Sequence, residues 1–339
     1  MFQDFNSPEE EDLEFITKLN RFEIITENID SQNSYAQNFC HFHRGGKVYL
    51  IWATKDYFLE IYDLQVKFLI LRIKVHDTQI NSCHYFHDAK SNRDLIITTS
   101  DDKFIKIWNF QDFSLILKIE NDTVASFRNA FIFAEISKNL KDEKLGIIRY
   151  YIISELSDYV VALYDFNGKF IKKVKDITFF DLWHCPKVNS CQLVGSYAGS
   201  VKLYNLKSGE LTKEFKCHGV LVEAALLNDV LITGDEEGYL RTYNIEENSL
   251  MDEVKLDSKI IHITIWDIEY FFAFLENGYI HCYEAKTLTN VKIMNPICEK
   301  VTYAESILYQ NFGPGLIITG PKDFEKSMLG IITSEPHIS

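Results

Sequence analysis

The chain has 339 residues, is 46% hydrophobic and 25% charged, and sets 35 Lys and Arg against 49 Asp and Glu for a formal charge of −14. This is a globular composition with enough apolar mass for a large core. The acidic balance argues against general binding to nucleic acid or an anionic membrane, where Lys and Arg neutralise phosphates, and leaves room only for a local basic patch.

The first residues, MFQDFNSPEEEDLEF, lack a basic n-region and an apolar h-region. Residues 1–13 therefore read as an acidic tail, neither secretory signal nor mitochondrial presequence. Residues 8–20 are the one stretch compatible with a helix, starting on a Ser7 cap, while EFITKLNRFEII at 14–25 has strand character. From there a single grammar repeats: a β-branched run, a short polar turn, then an alternating run that ends in an aromatic followed by Asp, Asn or Glu. It appears as YLIWATKDYFLEIYDL (49–64), LIITTSDDKFIKIWNF (95–110), YIISELSDYVVALYDF (151–166), CQLVGSYAGSVKLYNL (191–206), DVLITGDEEGYLRTYNI (229–245) and EYFFAFLENGYIHCYEA (269–285). The closing aromatics are Tyr62, Trp108, Tyr164, Tyr204, Tyr243 and Tyr283, spaced by 46, 56, 40, 39 and 40 residues. A period near 40 with strand alternation in each unit marks an array of β-propeller blades.

Each unit divides into four strands. In the second they fall at 80–86, 94–100, 103–110 and 114–120. A seventh unit supplies three strand-like runs, 306–312, 315–320 and 328–334, and lacks a fourth. The orphan run at 14–25 can complete it, which removes the exposed edge that an open sheet would leave. The expected fold is all-β, a seven-bladed β-propeller of four-stranded antiparallel blades over residues 14–334, its last blade closed by an N-terminal strand, with a tail at 335–339. The longest apolar runs, such as 270–275, fall far short of the roughly 18 residues of a membrane helix. Seven scattered cysteines without a CxxC read as reduced intracellular thiols. The expectation is a cytoplasmic protein, with nuclear or cytoskeletal placement as the intracellular alternatives, and no membrane insertion.

The 76–109 unit resembles the WD-repeat family. In that family the third strand of a blade ends in Trp-Asp, a turn Asp stands six residues before the Trp, a small hydroxyl residue ten before it, and a His opens the blade after Gly. His76, Thr98, Asp102 and Trp108 fit these places, although His76 follows Val75. The resemblance implies a buried structural tetrad in which the carboxylate holds the imidazole, which reaches the hydroxyl and then the indole. Ser100 is an alternative hydroxyl. Other units keep fragments: Asp56 and Asp158 at the turn position, Glu237 and Asn277 in their place, and Ala198 where the position is lost, with Tyr for Trp in five of six units.

No catalytic, metal or cofactor constellation emerges. His41 and His43 alternate beside Cys40 without a carboxylate set to complete four ligands, and His84, His87, His184-Cys185 and Cys217-His218 lack zinc spacing. Nucleophile-elbow, HExxH, P-loop and dinucleotide-binding motifs are absent from the sequence. In the family the turn between second and third strands faces one rim. Here those turns hold Asp56, Asp101, Asp102, Glu155, Asp158, Asp235, Glu236, Glu237 and Glu276. The expected partner surface is therefore an acidic rim built from Asp56, Asp101, Glu155, Asp235, Glu236, Glu237 and Glu276, receiving a Lys/Arg-rich segment. Insertions at 87–94 and 137–146 mark a second surface between first and second strands. The functional expectation is a non-enzymatic WD-repeat scaffold, monomeric within a hetero-complex and without direct nucleic-acid contact. The alternative is a module that reads a basic or modified peptide at the channel mouth within an enzyme complex.

Overall fold

The computed structural model describes residues 22–27, 38–45, 47–54, 56–63, 66, 68–138, 145–185, 190–197, 199–217, 219–265, 269–294, 303–309, 313–322 and 326–334. The two tails, the helix expected at 8–20, Ala198 and His218 lie outside the described residues. Within them, regular structure is entirely β: 28 strands in seven antiparallel sheets of four. The fold is a seven-bladed β-propeller.

The N-terminal strand is β1 (Phe22–Glu27). Blade 1 comprises β2 (Asn38–Arg44), β3 (Lys47–Ala53), β4 (Phe58–Asp63) and β5 (Phe68–Lys74). Blade 2 holds β6 (Ile80–Asp88), β7 (Arg93–Ser100), β8 (Phe104–Asn109) and β9 (Leu115–Glu120). Blade 3 holds β10 (Phe127–Lys138), β11 (Leu145–Leu156), β12 (Val160–Asp165) and β13 (Phe170–Lys175). Blade 4 holds β14 (Thr178–Cys185), β15 (Ser190–Tyr197), β16 (Ser200–Asn205) and β17 (Leu211–Lys216). Blade 5 follows with β18 (Leu221–Leu227), β19 (Val230–Asp235), β20 (Tyr239–Asn244) and β21 (Ser249–Lys255). Blade 6 has β22 (Ile260–Ile265), β23 (Tyr270–Leu275), β24 (Ile280–Glu284) and β25 (Asn290–Met294). Blade 7 has β26 (Tyr303–Tyr309), β27 (Gly313–Lys322) and β28 (Lys326–Ser334), and β1 adds as its fourth strand, from Phe22 opposite Ser334 to Glu27 opposite Leu329. The N-terminal strand thus closes the last blade.

The chain divides into two compact units. Residues 31–224 carry blades 1 to 4; residues 225–339 with 1–30 carry blades 6 and 7 and most of blade 5. In the first unit, apolar seams join successive blades. Ile51, Ile61, Ile80 and Cys83 lie in one, Ile97, Ile107, Phe127 and Ile152 in the next, and Ile153, Leu163, Ile177 and Leu193 in a third. In the second unit Ile232, Ile260, Phe271 and Tyr283 form an equivalent seam. Second strands are covered on both faces, so β19 and β23 are buried along their whole length and read as unbroken apolar runs. Outer strands alternate instead, as β5 does. Each fully buried Leu, Ile or Phe contributes about 1.5–3 kcal/mol, so these seams dominate the stability.

The recurring aromatic has a backbone cause. In all six units the pairing between third and fourth strands slips by one residue at that aromatic: at Tyr62, Trp108, Tyr164, Tyr204, Tyr243 and Tyr283. Such a bulge bends the strand and re-aims a side chain. The Asp or Asn that follows then caps the next turn. Asp165 accepts the amides of Asn167 and Lys169 at 2.9 Å each, Asn205 those of Lys207 at 2.9 Å and Ser208 at 3.0 Å, and Asn244 that of Glu247 at 3.0 Å. Five residues before each aromatic the chain takes a left-handed conformation: Tyr57, Lys103, Tyr159, Gly199, Gly238 and Gly278. Glycine adopts this conformation freely, and Gly238 also passes close to the carbonyls of Leu256 and Ser258. Three blades place Tyr or Lys there, which is one reason the chain carries only 15 glycines.

The insertion at 87–94 is not a loop. It lengthens the β6–β7 hairpin, with His87 opposite Asp94 and Asp88 opposite Arg93. The one at 137–146 likewise extends β10 and β11, pairing Lys138 with Leu145, and residues 139–144 lie outside the described residues. Polar side chains on an antiparallel ladder pair across it, so a hydrophilic insertion can prolong strands.

Candidate functional site

The hairpin of β7 and β8, with the link that enters β6, brings His76, Thr98, Asp102 and Trp108 together. His76 Nδ1 is 2.7 Å from Asp102 Oδ2, and its Nε2 is 2.8 Å from Thr98 Oγ1. The Trp108 indole donates to Thr98 Oγ1 at 3.0 Å. One set of protons satisfies the whole chain: indole N–H to hydroxyl, hydroxyl to Nε2, Nδ1–H to carboxylate. The imidazole is 0% exposed. Burial lowers its pKa despite Asp102. Burial pushes the Asp102 carboxyl the other way, but the His76 bond and the Phe104 amide outweigh that and hold it below the usual range. The result is a neutral imidazole on a carboxylate with every polar atom engaged. Ser100, the other hydroxyl, bonds Thr78 at 2.8 Å.

The same place in other blades is filled differently. The position of Thr98 lies directly opposite Lys106; its counterparts are Trp52 opposite Glu60 and Thr233 opposite Arg241. In blade 1 Glu60 is buried and accepts the Trp52 indole at 2.7 Å and the Tyr62 hydroxyl at 2.8 Å, while Arg72 Nε lies 3.0 Å away. Burial first, then Glu60, pushes the Tyr62 phenol up. In blade 5 the buried Arg241 donates to Asp235 Oδ2 at 2.7 Å and to Glu253 at 2.5 Å. In blade 6 His281 Nδ1 is 3.3 Å from the Tyr283 hydroxyl. In blades 1, 2 and 5 the buried ionisable groups are tied to one another in the interior, while the buried Thr233 and Thr242 hydroxyls of blade 5 have no hydrogen-bond partner among the described residues.

The residues expected to form an acidic rim separate into two kinds. Asp235 is 1% exposed and Glu155 7%, because both stand on second strands, β19 and β11, that neighbouring strands cover. Asp235 is neutralised by Arg241 and caps its turn by accepting the amides of Glu237 at 3.0 Å and Tyr239 at 2.8 Å. These two are corrected from surface to interior. In the first unit Asp56 and Asp101 remain exposed, Asp56 paired with Arg72 and Asp101 accepting from Asn81 at 2.8 Å. In the second unit Glu236 and Glu237 are exposed, Glu236 lying 2.7 Å from Lys259, and Glu276 is half-buried. Much of the acid is thus already matched within its own unit.

The extended β6–β7 hairpin carries a network the sequence did not single out. Buried Asp94 accepts from Tyr85 at 2.6 Å and lies 2.8 Å from His87 Nδ1 and 3.0 Å from Arg44 of blade 1. Phe42 stacks on Tyr85 with ring centres 4.0 Å apart. The strand alternation of Tyr85 and His87 was the available signal, but Arg44 comes from another blade. A second cluster stands at the turns of blades 3 and 4. Tyr159 and Tyr197, both exposed, meet edge-on at 6.5 Å, with the Arg128 guanidinium over the Tyr159 ring at 5.3 Å. Among the described residues no three His, Cys, Asp or Glu side chains gather at metal-ligand spacing. The side chains of His41, His43, His184 and Cys185 lie outside the described residues. No described helix is long and apolar enough to cross a membrane.

No family model matches the sequence, and no curated protein matches it. Among solved structures the chain is similar to BBS1N, crystallised in complex with ARL6DN and soaked with lead: TM-score 0.72 at 11% identity, covering 93% of this chain and 97% of that one. At that identity the likeness is one of fold.

Proposed function

We propose that this chain is a non-enzymatic scaffold of WD-repeat type that holds partner proteins in an intracellular multiprotein assembly. The observation that carries the reading is the closure of the polar groups: in blades 1, 2 and 5 the buried ionisable side chains are spent on one another, as in the relay from Trp108 to Asp102. Groups fixed in this way stabilise blades and leave the surface for recognition. BBS1N, of similar fold, was crystallised with a protein partner, ARL6DN. Affinity purification of the tagged full chain from its own cells, followed by mass spectrometry and native sizing, tests the reading. A reproducible set of co-purifying proteins at an assembly mass is expected. A chain that runs alone at 39.5 kDa with no enriched protein overturns it.

A second reading, a module that takes a basic or modified peptide side chain, has one observation in its favour. The Tyr159 ring already holds a guanidinium, that of Arg128, with Tyr197 beside it. An array of Arg- and methyl-lysine-bearing peptides, probed with the wild-type chain and with Tyr159→Ala, separates this reading from a general scaffold.

A further inference from the structure

The charge of the chain is not evenly spread. Residues 169–216 hold nine lysines against four acidic residues, a net of +5 that leaves −19 on the rest. Four of these five excess charges lie on β13 and the residue before it, Lys169-Phe-Ile-Lys-Lys-Val-Lys175. Lys169, Lys172, Lys173 and Lys175 form no ion pair with a carboxylate among the described residues, whereas Lys207 of blade 4 reaches Glu135. Phe170 and Ile171 are exposed as well. Like charges this close repel one another, and a bound polyanion relieves that repulsion.

Two geometric facts select the anion. First, β13 is the last strand of its sheet, with a free hydrogen-bonding edge among the described residues. Second, its lysines point to both faces. Lys172 and Val174 turn towards a shallow apolar cleft lined by Leu163, Leu193 and Tyr204, and Lys173 and Lys175 alternate onto the opposite face. A flat bilayer leaves the strand's edge amides unpaired. An added strand pairs them and presents its own side chains alternately to both faces. We infer that β13 is a docking edge for an extended acidic segment of a partner protein, which adds as a fifth strand to blade 3. This rests on the scaffold reading and names the chemistry of one partner.

The test uses the full chain and a fluorescein-labelled decapeptide of alternating Glu and Val. Binding with steep salt dependence is expected, weakened about tenfold or more by the Lys172→Glu, Lys173→Glu, Lys175→Glu triple variant. The same peptide N-methylated at alternate amides, which cannot pair as a strand, binds wild type about tenfold more weakly or worse. Should the triple variant fail to fold, the N-methylated arm stands on wild type alone. No binding of the acidic peptide, equal binding by a folded triple variant, or equal binding of the N-methylated peptide overturns the inference. So does a chain that binds phosphatidylserine vesicles and not the peptide. A chain that enriches partners from cells yet ignores the peptide refutes this edge and keeps the scaffold; one that enriches nothing refutes the scaffold.

Discussion

Replacing Asp102 by Ala tests the logic of the blade 2 relay most directly. The substitution removes the acceptor 2.7 Å from His76 Nδ1 and leaves an N–H on a ring that is 0% exposed. An unsatisfied buried donor costs about 1–3 kcal/mol. The same carboxylate also accepts the Phe104 amide at 3.1 Å, a turn bond worth roughly 0.5–1.5 kcal/mol. Lys106 keeps its 2.7 Å bond to the Val75 carbonyl and adds little. The expected loss is about 2–4 kcal/mol, read as a drop in the urea midpoint. Trp108 sits inside the relay, so its fluorescence reports the transition. The partner variant His76→Phe removes the stranded donor, and the double variant should fall short of the sum of the singles by about 1 kcal/mol or more. An unchanged midpoint for Asp102→Ala, or strict additivity in the cycle, would show that the four residues are neighbours without being a relay.

Three further outcomes are expected. Arg241→Leu strands the Asp235 carboxylate, 1% exposed, and should cost about 3–5 kcal/mol in urea titration; a loss under about 1 kcal/mol contradicts the ion pair as drawn. Gly195→Ala drives a methyl into Ile177 and the Thr178 carbonyl between β14 and β15, so a loss of about 1–3 kcal/mol is expected, checked by the same titration. Burial lowers the pKa of His76 and of His281, so the unfolded chain binds more protons than the folded one below about pH 6.5. Stability is then full above that pH and falls as pH drops from about 7 towards the depressed folded values. A urea midpoint that stays flat between about pH 7.5 and 5.5 would refute that assignment.

How much of this could be read in advance depended on whether the cause was local. The aromatic-Asp/Asn ending was legible because it is a backbone device. A bulge at Tyr164 and an Asp165 that caps the following turn need only adjacent residues, so the signal survives in six of the seven units, with Glu284 in place of Asp or Asn in blade 6. The closure of blade 7 was legible for the same kind of reason, since an orphan strand must pair somewhere, and Phe22–Glu27 pairs with β28. The acidic rim failed at Glu155 and Asp235 because spacing alone does not fix where a strand ends. Glu155 lies opposite Val161 inside the ladder, one residue before β11 stops. The polar centres of blades 1 and 5 were hidden more deeply. Trp52 meets Glu60, and Thr233 meets Arg241, only once the register is known.

These centres show what the blade requires at that place. Thr98 with His76, Trp52 with Glu60, and Arg241 with Asp235 share no residue type, yet each satisfies a buried group next to the strand-end aromatic. What recurs is a paired polar or charged side chain under a covered hairpin, supplied by different chemistries, and in blade 5 the ion pair of Arg241 is kept although the Thr233 hydroxyl opposite it has no partner. On the scaffold reading proposed above, a tetrad complete in one blade and replaced in others is not a half-lost active site. It is one of several interchangeable ties, and that interchangeability argues for a structural role, since chemistry would demand the same groups and could not trade an imidazole for an indole or a guanidinium. What varies without such compensation, the lysines of β13 above all, is where recognition by this chain is to be sought.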